Sequence, residues 1–244
     1  MAIGSGTYTF RMNAGQIVQS ALRKTGNYDA AQVPAQTDPD FINTMEALNV
    51  ICKDLAIEGG PLWCIEDVAF PTVIGQMQYN LSTIMGMPLP PRILDAYIRD
   101  LSLPNAEDGG NDVQLIIISR YDYNTLGQKF ARGVPNQIWY NPQLEGGILT
   151  LYDVPADNRH EIHVVAQRQI QDLNIPTDNP DFPQEAARML IWCLLDEISL
   201  EMRMPPDERK EANQRAVDLK QRFFDSPWSV EQSSTFFTPT ERTM

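Results

Sequence analysis

His160 and His163 are the only two histidines in the chain. Imidazoles at ligand spacing are the usual start of a metal site. In an extended strand, however, an HxxH pair points to opposite faces, which is poor for joint ligation of one ion. We therefore read both as solvated or rim histidines. Asp108-Gly109-Gly110-Asn111-Asp112 has the composition of a calcium loop. It lacks the alternating oxygen spacing and the closing glutamate, so it reads as a turn. Glu66 and Asp67 are adjacent carboxylates, but glycoside hydrolysis needs two carboxylates that flank a cleft, which adjacency does not establish. Neither a G-x-S-x-G elbow, a phosphate loop nor a dinucleotide fingerprint occurs. Cys52, Cys64 and Cys193 are far apart, odd in number and without CxxC spacing, so they read as reduced, mostly buried small hydrophobes. No catalytic, cofactor-binding or metal-binding residue is assigned.

Aromatic residues in polar surroundings suggest contact chemistry instead. At 100° per residue, Trp192 falls in the middle of the polar face of a helix whose other face is aliphatic. A large aromatic there suggests a contact surface, unless the chain itself covers it. Trp228, Phe236 and Phe237 punctuate a terminal stretch rich in Ser and Thr. A solvated tail usually lacks such anchors. These four are the candidate contact residues.

The elements that position them alternate in type. Asn13 and Gln16 have the spacing of a capping box. Ala14, Ile17, Val18, Ala21, Leu22 and Thr25 then share a helix face, Arg23 and Lys24 suit the helix C-terminus, and Gly26 suits a left-handed C′ position. Asp38-Pro39 starts a second helix with Phe41, Met45, Leu48, Cys52 and Leu55 on one stripe and Ile51 beside it, ended by Gly59-Gly60-Pro61. From Leu62 to Ile170 the pattern becomes period two. Leu94, Ala96 and Ile98 alternate with Asp95, Tyr97 and Arg99, and Ile162, Val164 and Ala166 alternate with Glu161, His163 and Gln167. Val113 to Ile118 reads as one β-branched run. Gln137 to Tyr140 and Ile148 to Tyr152 flank a hairpin loop at Glu145-Gly146-Gly147, and 120–130 has room for a short helix. About six strands of this kind make a small sandwich or barrel. Helices return after Pro183, with Ala187, Leu190, Ile191, Leu194, Leu195 and Ile198 on one face. Glu185, Arg188, Asp196, Ser199 and Arg203 lie on the other. A charged helix follows Pro205-Pro206, with Ala212, Ala216, Leu219 and Phe223 on its apolar side.

The expected fold is therefore α+β. Helix pairs at about 13–25 and 38–58, and at 183–203 and 206–224, form a four-helix bundle. The chain divides into 1–60 (first bundle helices), 61–172 (an inserted antiparallel β sandwich or barrel), 173–224 (the remaining helices) and 225–244 (an extended arm). Fully extended, those twenty residues span roughly 65 Å.

The 244 residues are 43% hydrophobic and 21% charged, an ordinary globular mix, with a formal charge of −13. A basic nucleic-acid footprint is missing at the level of the whole chain. No uncharged apolar run approaches the ~18 residues of a membrane span, and the N-terminal sequence does not read as a secretory signal. A cytoplasmic site of synthesis is expected.

From Gly133 onward the sequence resembles the head-to-tail adaptors of short-tailed bacteriophages (tail accessory factors, tubular tail protein A, packaged-DNA stabilisation proteins). The resemblance rests on Gly133-Val134-Pro135 before the aromatic strand Ile138-Trp139-Tyr140, on Leu151 to Pro155, and on a strand ending near Arg168. It continues through the loop Asp178-Asn179-Pro180-Asp181-Phe182-Pro183, the apolar helix around Ile191-Trp192, and the exit at Met204-Pro205 before a charged helix. It covers about Asn13 to Phe224. It implies a dodecameric ring under the portal protein, joined to a tail nozzle or tube protein. Genomic DNA would pass through without specific binding, and the virion neck, assembled in host cytoplasm, would be its place. It implies no enzyme activity. Three rivals are another tail ring component (a stopper or nozzle), a monomeric ligand- or glycan-binding module, and a hydrolase using an acidic dyad.

Overall fold

A computed structural model describes residues 7, 9–28, 34–58, 62–86, 92–102, 112–143 and 146–226. The chain separates into two compact units. The first joins Met1–Trp63 to Ile170–Met244, and the second, Cys64–Gln169, lies between those segments in sequence. The class is mixed α and β.

In the first unit, α1 (Ala14–Lys24) begins at the capping box: the Asn13 side chain accepts from Gln16 N–H, and the Gln16 side chain accepts from Asn13 N–H. The other free donors of this first turn are met from a distant loop. Ala14 N–H donates to Asp178 O and Gly15 N–H to Pro176 O, each at 2.8 Å. That approach favours glycine, because a Cβ on Gly15 would stand 3.0 Å from Pro176 O. Gly26 takes φ +77° just past the helix end, the left-handed stop that its lack of a side chain permits.

The long helix α2 (Pro39–Glu58) buries Phe41, Met45, Leu48, Ile51, Cys52 and Leu55 on one side. From its flank, Asn49 holds the backbone of Leu173 at two points, Nδ2 donating to Leu173 O and Oδ1 accepting from Leu173 N–H, each at 2.8 Å. One turn on, the Lys53 ammonium donates to Ile170 O and pairs with Asp172 at 2.6 Å. These two residues fasten the segment that re-enters the unit. Trp63 closes the same region: its Nε1–H donates to Asp181 O, and its ring packs on Phe182 and Phe223.

The helix expected at 183–203 is shorter: a 3-10 turn at Gln184–Ala186 leads into α5 (Ala187–Ile198). Ser199, expected on the polar side, is buried, because the chain turns back there and Ser199 O accepts from Met204 N–H. The last helix, α6 (Pro206–Phe224), starts with proline at its first position. The α1, α2 and α6 helices all pack against α5, and α1 packs against α2.

Among its described residues the second unit carries ten strands and two short helices. The strands are β1 (Ile65–Pro71), β2 (Gln78–Asn80), β3 (Arg92–Asp100), β4 (Asp112–Gln114), β5 (Ile116–Ile117), β6 (Arg132–Gly133), β7 (Gln137–Asn141), β8 (Ile148–Tyr152), β9 (Val154–Pro155) and β10 (His160–Gln167). The helices are α3 (Leu81–Met85) and α4 (Arg120–Thr125). One sheet runs β1-β10-β3-β4 and is antiparallel throughout. A second runs β2-β8-β7-β5, with its β5–β7 edge pair parallel, and β6 pairs with β9 in parallel. Among the described residues neither four-stranded sheet pairs its first strand with its last, so the strands do not form a closed barrel.

The run read as one strand, Val113 to Ile118, divides at Leu115. Val113 pairs with β3, whereas Ile116 and Ile117 pair with β7. Leu115 is the buried crossover, and its N–H donates to Ala96 O. The core behind it unites both sheets: Ala96, Ile98, Ile162 and Val164 from one, Ile138, Leu149 and Leu151 from the other, and Phe70 against Tyr79.

Candidate interaction surface

Trp192 is half-buried in α5. Its polar-side position arises because the helix repeat places it beside Arg188 and Asp196 at i±4. Two other helices supply its neighbours. Lys24, the last residue of α1, brings its Nζ to 5.0 Å from the indole centroid, and Arg215 of α6 brings its guanidinium carbon to 4.7 Å. Arg215 also pairs with Glu211 one turn back along α6. Beside it, Asn213 Nδ2 donates to Asp196 Oδ2 at 2.9 Å. The indole is thus covered in part by α1 and α6 of its own unit and serves as a platform that holds two cations by cation–π attraction. Lys24 and Arg215 are the residues that sequence reasoning missed. Their types are unremarkable, and only the packing of three helices brings them to one ring.

Trp228, Phe236 and Phe237 lie outside the described residues, as do Asp108 to Asn111 of the glycine-rich loop. The remaining member of that loop, Asp112, accepts two hydrogen bonds from Arg99, at 2.7 and 2.9 Å. That fork holds its carboxyl below the ordinary carboxylate range.

The histidines are not rim residues. His160 and His163 are 5% and 7% exposed, because β10 is an inner strand with a neighbour on each side. They do face different groups. His160 Nδ1 pairs with Asp157 at 2.8 Å. His163 stacks on Tyr97 with centroids 4.5 Å apart, its Nε2 3.2 Å from Glu161 and its Nδ1 3.5 Å from Asp67. Tyr97 O–H donates to Asp67 at 2.7 Å; burial, together with that bond, pushes the phenol up to about 12. Glu66 instead accepts from Arg168 Nε at 2.8 Å. Adjacent residues of β1 point apart, so the two carboxylates belong to separate networks.

Two of the stretches behind the family resemblance meet within the second unit. Gly133 pairs with Pro155 across β6 and β9, joining the glycine–proline motif to the end of the Leu151–Pro155 stretch. A Cβ on Gly133 would lie 3.2 Å from an Asp153 carboxylate oxygen, so the close approach favours glycine. Trp139 of the aromatic strand stacks on Tyr123 of α4 at 4.7 Å.

Residues 12–235 match the family model described as SU10 adaptor protein. The chain belongs to that family. The SU10 adaptor family is a phage head–tail adaptor family, so this chain is a phage adaptor protein. The matched span includes Trp192 and Trp228 and ends before Phe236. No curated protein matches the chain. Among the described residues no helix is long and apolar enough to cross a membrane.

Proposed function

We propose that this adaptor is a structural subunit of the virion neck. It assembles as a closed ring, a dodecamer, between the portal protein and the tail nozzle or tube, and DNA enters and leaves through its lumen. The observation that carries this reading is the family match across both compact units. The helices α1, α2, α5 and α6 act as a four-helix bundle that forms the wall of the ring. The reading assigns no catalytic step.

The net charge of −13 supports passage of DNA rather than its capture. A wall that held many phosphates through Lys and Arg would release counterions and bind the strand, with affinity falling steeply as salt rises. Duplex binding by the isolated chain is accordingly weak at physiological salt. Trp192 and the terminal aromatics Trp228, Phe236 and Phe237 serve as contacts to portal or to a neighbouring subunit. The segment from 225 onward acts as the docking arm.

Native mass determination and negative-stain imaging of the chain mixed with its portal protein test the reading. A ring of identical chains seated on portal is expected. A chain that stays monomeric beside portal refutes the ring. A chain truncated after Asp225 should remain folded and fail to attach to portal; normal attachment would remove the arm from the docking role.

A further inference from the structure

Two faces of the helical unit are exposed among the described residues and complement each other in charge, the second carrying one ion pair of its own, Arg215–Glu211. On the outer side of α2, Ile42, Val50 and Ile57 are 46%, 58% and 84% exposed. Glu46 and Asp54 are exposed among them. At 100° per residue all five fall within an arc of about 120°, opposite the buried stripe. A solvent-facing helix side normally carries polar residues. Three aliphatics spread over sixteen residues make a strip about 22 Å long, with carboxylates between them. The second face is the cationic platform of Lys24 and Arg215 on Trp192, with Arg23 exposed beside Lys24. The indole limits the motion of both cations, so fewer rotamers are lost when an acidic surface arrives. The chain is strongly acidic as a whole, which makes this cluster a local exception.

We infer that the outer face of α2 in one copy docks on the Lys24–Trp192–Arg215 platform of the next copy. Glu46 and Asp54 meet the two cations, and Ile42, Val50 and Ile57 cover the indole edge and the flank of α6. The occupant is a second copy because the two faces complement each other in charge and both lie on the same unit. Two copies of the α2 face would set carboxylate against carboxylate, and two copies of the platform would set cation against cation. A contact between different faces is heterologous, and repeated from copy to copy it gives a ring where the rotation closes and an open filament where it does not. Helix lengths agree: α2 has 20 residues and α6 has 19, about 30 and 28 Å.

This inference rests on the ring reading, and the test separates the two. Variant one carries Glu46→Lys and Asp54→Lys; variant two carries Lys24→Glu and Arg215→Glu. All four positions are at the surface, and thermal melting of each variant checks that it folds as the parent does. Each is mixed with portal protein, alone and as an equimolar pair, and ring content is read by sedimentation and imaging. Either variant alone should lose at least about tenfold in ring content, since both of its faces then carry one sign. The pair should recover rings, because each altered face meets an opposite one on the other variant. Rings formed by either variant alone at the parent's level overturn the assigned interface and leave the ring reading standing. Failure of the folded pair to recover overturns the charge complementarity. A parent chain that forms no ring on portal removes both readings.

Discussion

Truncating Leu194 to alanine probes the centre of the helical unit. Its side chain is fully buried in α5, the helix against which α1, α2 and α6 all pack. Leu→Ala removes about three carbon groups, worth roughly 0.8 kcal/mol each on transfer, or about 2.4 kcal/mol. Helices on several sides hinder collapse onto the void, so a cavity contribution raises the cost to about 3–4 kcal/mol, within the usual range of about 2–5. Leu200→Ala, at an exposed position, is the control and should cost under about 0.5 kcal/mol. Urea unfolding followed by tryptophan fluorescence reads the difference. Trp63 and Trp192 report on the helical unit and Trp139 on the β unit. With a slope of about 2–3 kcal/mol per molar urea, the Leu194→Ala midpoint should fall by about 1–2 M. An unchanged slope and a loss below about 0.5 kcal/mol would refute the placement of Leu194 in the core and the packing of three helices on α5.

Gly15→Ala should destabilise the helical unit although alanine favours helix by about 1 kcal/mol, because the new Cβ meets Pro176 O at 3.0 Å; a raised melting temperature would contradict that approach. Arg99 donates to Asp112 and lowers its folded pKa, so the pair stabilises above the unfolded carboxyl value near about 3.9 and that contribution fades as pH falls through the folded value. Arg99→Gln should therefore lower stability at pH 7 and flatten its decline below about pH 4, read from Trp139 fluorescence; an unaltered acid profile would remove the pair from the balance. Burial pushes the Cys52 thiol up to about 12, so at pH 8 it should resist iodoacetamide in the native chain and react once urea unfolds it, as peptide mass mapping would show. Rapid native alkylation would contradict its burial.

Signals confined to a few residues were legible in the sequence. The capping box at Asn13 and Gln16 forms as its spacing requires, because cap and acceptors lie within one turn. The stripes of α1 and α2 are buried as their periodicity indicates, and so is that of α5 apart from the half-buried Ala187, since a helix has one apolar side to hide. The hairpin of β7 and β8 likewise follows from two alternating runs around a glycine loop.

What periodicity does not carry is which distant segments meet. The run Val113 to Ile118 is uniformly β-branched or aliphatic, yet it changes sheets at Leu115 because Ala96 O takes its N–H on one side and β7 takes Ile116 and Ile117 on the other. His160 and His163 read as polar rim residues by type. Their burial follows from β10 having β1 and β3 as neighbours, a pairing fixed across more than sixty residues of chain. Trp192 was visible as an aromatic out of place, but its partners Lys24 and Arg215 lie on two other helices. Local backbone preference is settled by neighbours in sequence and therefore shows there. Pairing and side-chain company are settled by the burial of one segment against another, and so only the tertiary structure decided them.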